Sequence, residues 1–425
     1  MAREPGGAGA QKAGVNIAGA EWLERTETQA IFAGLNREGF EARAVGGAVR
    51  NTLIGRPVSD IDFATTARPE DTIRLAQSAG LKTVPTGIEH GTITVIADGM
   101  PFEVTTLRRD VETDGRRAIV AFGGDWAEDA RRRDFTMNAL YADAAGRIHD
   151  PLGGLPDALG GKVRFIGDPQ QRIREDYLRI LRFFRFSAQY GDGALDAEGF
   201  TACLRERAGM LSLSRERIRA ELLKLLVAPA AEAVVDAMEN SGLLLGVLGG
   251  VTFGWRLRRL AVLERELARE PSAVLRLAAL GVEIAEDAAR LAERLRLSST
   301  ERQHLEALAD LHEFRRFVLQ EGAKAQLYRR GPHSFTDALL LDWARSGNAA
   351  SDAARREMYA IATSWTPPAF PLSGADLIAE GVQPGPALGA LLRELEARWL
   401  ASGFTMEKAH LLALARSLAH QGGAS

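Results

Sequence analysis

AVGGAVRNTLIGRPVSDIDFATT, residues 44–66, carries the pattern on which the fold of this chain turns. An apolar strand ends at Gly46 and Gly47, a short helix holding Val49 and Leu53 follows, and a turn leads into a second strand. A glycine pair at such a junction lets backbone N–H groups gather at a helix start, which favours an anion. Arg50, one turn in, adds a fixed positive charge with a fork suited to phosphate. In SDIDFA, Asp60 and Asp62 alternate with Ile61 and Phe63, so a strand turns both acids one way and both apolar groups to the core. Two carboxylates held together oppose each other's ionisation unless a cation lies between them, and Mg²⁺, which takes carboxylate oxygens plus substrate phosphates, resolves that conflict. Each half alone reads as an ordinary turn or a solvated strand edge. With Arg50 ten residues before Asp60, the two together read as a metal and phosphate site.

Around this stretch the first 150 residues alternate helical spacing with short β-rich runs, EARAVGGAV, DIDFAT, HGTITVIAD and PFEVTTL, which predicts an α/β region. After the turn-rich segment IHDPLGGLPDALGGKVRFIGDP the spacing becomes helical and stays so from about residue 170 to 425, so the fold class is α/β followed by all-α. Breaks fall at Pro229, Gly249–Gly250, Pro271, Gly331–Pro332 and TPPAFP. The expected domains are a flexible lead-in over 1–20, an α/β head over 21–150, a helical neck over 151–226 and a helical remainder over 227–425.

The 425 residues are 46% hydrophobic and 26% charged, which excludes collagen-like, wholly disordered and coiled-coil chains. Against 53 Lys and Arg stand 56 Asp and Glu, a net charge of -3, so any nucleic-acid surface must be local. Of those 53, 47 are Arg, the side chain better suited to phosphate forks and base edges. The one cysteine, Cys203, reads as a small buried residue, which excludes an intramolecular disulfide and fits a reducing, cytoplasmic setting. No run of about 18 apolar residues offers a membrane span.

Three further segments carry polar chemistry. Glu103 in PFEVTTL opposes Phe102 and Val104 and is a candidate third carboxylate, or a surface acid. RRDFTMNAL, residues 132–140, runs from Arg133 and Asp134 into residues that want burial, and adds Asn138. In EDYLRILRFFRF, Tyr177, Ile180, Leu181 and Phe184 share one helix face while Arg179, Arg182 and Arg185 gather on the other, with Phe183 and Phe186 beside them. Such a basic ridge with aromatics suits a nucleotide; the alternative is a helix buried on both sides, with its arginines in ion pairs.

GGAVRN with SDIDFAT, then TGIEHGTITV, EVTTLRRD, RRDFTMNAL, DPLGG and REDYLRILRFFRF occur in the order found in class II tRNA nucleotidyltransferases and bacterial poly(A) polymerases, which this chain resembles over residues 43–226. GIEHGTITV around His90 is most similar to the bacterial CCA-adding version. The resemblance implies a seahorse-like molecule with a polymerase-β-type palm, a helical neck, and a body and tail that hold tRNA. It implies Asp60 and Asp62 as ligands of Mg²⁺, Gly47 and Arg50 as triphosphate contacts, Arg133 with Asp134 and Asn138 around the nucleotide, and Arg182 and Arg185 on phosphate or behind the pocket. Asp176 and Arg179 are the implied base readers. Cytosine and adenine each show an amino donor beside a ring-nitrogen acceptor, which a carboxylate and a guanidinium complement, while uracil and guanine show the reverse. Asn51 stands where the family usually has Asp. The implied activity is transfer of CMP and AMP from CTP and ATP to the tRNA 3′ end with release of pyrophosphate. Poly(A) synthesis, or a catalytically silent RNA-binding relative, are the alternatives.

Overall fold

A computed structural model describes residues 15–114, 117–123 and 125–422. Its compact units are Met1–Val247 and Leu248–Ser425, so the expected seams at 150/151 and 226/227 run inside the first unit. Residues 1–14 of the expected flexible lead-in lie outside the described residues. The rest of that lead-in is anchored, because Ile17 is buried and Asn16 bridges Arg147.

The first unit is built on strands β1 (Ala42–Val45), β2 (Asp62–Thr65), β3 (Lys82–Gly87), β4 (Thr92–Ala97), β5 (Met100–Thr106), β6 (Arg108–Asp114), β7 (Arg117–Phe122), β8 (Tyr141–Ala142) and β9 (Ile148–His149). Seven of them form one mixed sheet in the order β3-β4-β5-β2-β1-β8-β9, and β6 and β7 pair separately. β2 and β5 run parallel, in a register that sets Asp62 opposite Glu103 and Phe63 opposite Val104. One face of the sheet is closed by the Thr26–Leu35 helix, and Phe32, Phe63 and Phe102 meet edge to face at 4.9 and 5.9 Å. Phe63 and Phe102 hold this face down, which leaves Asp62 and Glu103 on the opposite one.

β8 and β9 lead to helices. Asp150 in DPLGG accepts the N–H groups of Gly154 and Leu155 at 2.8 and 2.9 Å, which starts the Leu155–Leu159 helix. The segment EDYLRILRFFRF, expected as one helix, is divided between two, Pro169–Glu175 and Leu178–Tyr190, with Asp176 extended between them. The Asp176 carboxylate takes the Leu178 N–H at 3.1 Å, a local bond that competes with helix continuation. Phe183 does not lie on an open arginine face: it is fully buried, stacked on Phe165 at 5.5 Å. Phe186 packs on Phe135 at 5.1 Å.

The regular elements among the described residues of the second unit are all helices. At its centre the Pro332–Ser346 helix buries a continuous run from Phe335 to Ala344. The Glu264–Arg276 pair, 2.7 Å apart, lies between the Gly254–Glu266 and Ala273–Gly281 helices. A separate cluster of Leu377, Leu395, Trp399 and Leu411 joins the last three helices.

Candidate active site

The β1 strand, the Gly47–Leu53 helix and β2 bring the two halves of residues 44–66 to the edge of one cavity of about 680 Å³. Six cationic residues, Arg50, Arg133, Arg179, Arg182, Arg185 and Lys224, line it against three acids, Asp60, Asp62 and Asp134. A hollow of this size and positive excess fits a nucleoside triphosphate.

Gly46 turns the chain into the cavity at φ 71°, where a side chain would be strained, and its N–H reaches the Leu140 carbonyl at 3.1 Å. Gly47 opens the helix and lines the cavity. Arg50, only 5% exposed, does not stand free for a phosphate. It bonds Asn51 Oδ1 through Nε at 3.1 Å and Nη2 at 2.8 Å, Tyr190 Oη at 2.6 Å, and Asn138 Oδ1, with its guanidinium 3.8 Å over the Tyr190 ring. Burial first, then repulsion from Arg185 and Arg182, lowers its pKa against the pull of Tyr190 and Asp134. An anion placed among these three arginines relieves that crowding.

Asp134 lines the same cavity and is joined to Arg50 through the Asn138 amide. It accepts Asn138 Nδ2 at 2.9 Å and Arg182 through Nε and Nη2 at 2.8 and 2.5 Å. Burial alone pushes its carboxyl up, but Arg182 and Asn138 outweigh that and hold it below the usual range. Arg185 pairs with Glu221 at 2.5 Å and lies 4.2 Å over Phe186. Arg133 is braced by Asp129 at 3.2 Å and Tyr141 at 3.4 Å, while Tyr141 donates to Asp129 at 2.7 Å. Asp129 is fully buried, and Arg133 and Arg132 together overcome its burial to hold it ionised.

Asp60 stands two residues before β2 and Asp62 opens it, and both are exposed while Ile61 and Phe63 are buried, so the expected alternation begins two residues ahead of the strand proper. Asp60 and Asp62 also line a second hollow of about 580 Å³, together with Glu103 and Arg25. Glu103 lies on that side only. Although Asp62 reaches solvent, the protein packed around its carboxyl first, and then the Glu103 and Asp60 carboxylates, raise its pKa against the opposing pull of Arg133. Negative charge is therefore in excess at this edge, and an all-oxygen donor set of this kind fits a hard divalent cation.

Asp176 is not in the lining of the first cavity. Its carboxylate pairs with Arg217 at 2.6 Å, whereas Arg179 lines the cavity and pairs with Glu175 at 2.5 Å. The sequence reading missed Tyr190, Glu221, Asp129 and Lys224. Tyr190 stands one helical turn beyond Phe186, a spacing that marks it on the same side. Asp129 stands four residues before Arg133, an acid-to-arginine spacing that the sequence also offered. Glu221 and Lys224 come from an element distant in sequence, and no local pattern announces them.

Residues 42–164 match the model of the poly(A) polymerase head domain, and residues 271–415 that of tRNA nucleotidyltransferase domain 2. The mouse mitochondrial CCA tRNA nucleotidyltransferase 1 is 34% identical over 92% of this chain and 92% of its own. The chain belongs to the CCA tRNA nucleotidyltransferase family. A CCA-adding enzyme of Levilactobacillus brevis is 32% identical over 89% of this chain and 94% of its own. The Bacillus stearothermophilus CCA-adding enzyme, solved in complex with CTP, superposes with a TM-score of 0.72 over 93% of this chain and 98% of its own, at 28% identity. The family's members generally use a divalent metal, for which the Asp60 and Asp62 edge is the fitting donor set in this chain. Among the described residues, no helix is long and apolar enough to cross a membrane.

Proposed function

We propose that this chain adds CCA to tRNA, transferring CMP and AMP from CTP and ATP to the 3′ end without a template. The observation that carries the proposal is the position of Asp60 and Asp62 on the rim between two hollows, one lined by six cations and one lined by Glu103 and Arg25. The first hollow suits the triphosphate, and the second gives the RNA 3′ end an approach from the other side. The 3′-hydroxyl oxygen attacks the α-phosphorus in line, the bond to the β-phosphate oxygen breaks, and pyrophosphate leaves. Asp60 and Asp62 would hold Mg²⁺, which would lower the pKa of the attacking hydroxyl and neutralise charge on the phosphates.

The chain's own residues do the rest. Arg182, Arg185 and Lys224 neutralise the triphosphate, while Asn51, Asn138 and Tyr190 fix Arg50 so that its charge is in place before the nucleotide arrives. Arg133 presents its positive charge from a buried carboxylate support. Asp176 and Arg179 select cytosine and adenine, with Asp176 released from Arg217 to meet the base edge. An unpaired polar group costs about 1–3 kcal/mol, enough across two bonds to reject uracil and guanine. We also infer a cytoplasmic location, because a single buried cysteine leaves no intramolecular disulfide to need an oxidising one.

The test is an incorporation assay with tRNAs ending at the discriminator base, at C and at CC. Two C residues and one A are expected, and Asp60→Ala should abolish addition while tRNA binding persists. An ATP-only homopolymer would instead make the chain a poly(A) polymerase, and no metal-dependent pyrophosphate release would make it a silent relative.

A further inference from the structure

The second unit holds a group of side chains that the nucleotidyl transfer does not use. Among the described residues, His304, His333 and Asp337 are the one set of three His, Cys, Asp or Glu whose donor atoms all lie within 4.8 Å of one another. His333 and Asp337 are four residues apart on the Pro332–Ser346 helix and so leave it on one side. His304 comes from the Ser299–Ala307 helix.

Nε2 of His304 lies 2.6 Å from Asp337 Oδ2, and Nδ1 of His333 lies 3.5 Å from the same oxygen. A tetrahedral zinc ion with donors at about 2.0–2.2 Å keeps its ligands about 3.4 Å apart. The His333 to Asp337 separation already meets that spacing. The His304 to Asp337 contact reaches it by opening less than about 1 Å, as the ion replaces the shared hydrogen bond. The other oxygen of Asp337 is held by the Arg269 guanidinium, the kind of outer partner that orients a ligating carboxylate. Asp337 is wholly buried, whereas the His333 side chain is 71% exposed, so the site is closed at its base and open to entry from solvent. A structural ion pair of Arg269, Asp337 and His304 accounts for the buried charge but leaves His333 unexplained. Two imidazoles with one carboxylate suit a borderline ion rather than a hard one.

We propose that His304, His333 and Asp337 bind one Zn²⁺, which fastens the Ser299–Ala307 helix to the Pro332–Ser346 helix. The test uses the full chain without a histidine tag, stripped of metal, in the Asp60→Ala, Asp62→Ala background so that the carboxylates of the nucleotide cavity take no ion. Zinc is titrated against a chromogenic chelator, and the melting temperature is followed with and without it. One Zn²⁺ per chain and a zinc-dependent rise in melting temperature are expected. Adding His333→Ala, an exposed change that leaves the apo fold intact by circular dichroism, should weaken binding at least tenfold and remove that rise. Absence of stoichiometric zinc, or zinc binding indifferent to His333→Ala, overturns the proposal.

Discussion

Asn51 does two things at once that a carboxylate in its place could not. Its Oδ1 accepts two bonds from Arg50, and its Nδ2 donates to the Pro57 carbonyl at 2.8 Å, tying the loop before Asp60 to the arginine beneath the nucleotide cavity. An aspartate keeps the first pair of bonds, strengthened by charge, but sets an oxygen against the Pro57 oxygen. We predict that Asn51→Ala raises the KM for CTP and ATP about tenfold, the equivalent of about 1.4 kcal/mol, with a smaller change in kcat, because it frees Arg50 rather than removing it. Asn51→Asp should fall between the two in KM. Steady-state kinetics with a tRNA ending at CC separate these outcomes, and an Asn51→Ala enzyme with the parent KM would show that Arg50 needs no such support.

At the scale of elements, the DPLGG turn governs the cavity from outside it. A Cβ on Gly154 would stand 2.1 Å from the Thr136 carbonyl oxygen, and the Thr136–Asn138 turn carries the amide that holds Arg50. Gly153 meets nothing within 4 Å and asks only for its positive φ of 72°. Gly154→Ala should therefore cost about 1–3 kcal/mol and lower kcat/KM, while Gly153→Ala costs about 1–2 kcal/mol and leaves the kinetics alone. Thermal melts paired with incorporation rates check this, and equal kinetic losses in the two variants would refute the link through Thr136. Elements with one buried face were legible in the sequence: β4 and β5 show the alternation that an exposed and a buried side impose, and residues 60–63 show it at the entry to β2, whose last three residues are all buried. β3 was not, since KTVPTG buries no residue fully and carries a proline, and the two-residue strands β8 and β9 are too short for any period. The arginine-bearing helix was legible as to its arginines but not its limits. No glycine or proline marks the break at Asp176, which a side-chain bond to Leu178 makes instead, and Phe183 is buried by Phe165, a residue that only the fold brings near.

For the whole molecule, the net charge of -3 conceals a division of labour that the structure makes visible. Most arginines of the nucleotide cavity are held by a named acid, Arg182 by Asp134, Arg185 by Glu221, Arg179 by Glu175 and Arg133 by Asp129, so cations concentrate there without leaving the chain basic overall. These braces belong entirely to the Met1–Val247 unit, as do the carboxylates of the rim. Nucleotide binding should therefore stabilise that unit selectively. At a CTP concentration about 100 times its Kd, with a divalent cation and no RNA to consume it, the ligand contributes about 2.7 kcal/mol to any opening that destroys the site. Amides that exchange through such openings should slow about 100-fold, foremost in the Leu178–Tyr190 helix and β2. The Pro332–Ser346 helix, buried in the other unit, should exchange at an unchanged rate. Hydrogen exchange followed by mass spectrometry distinguishes the two regions directly, and equal slowing in both would mean that nucleotide binding and the stability of the second unit are coupled.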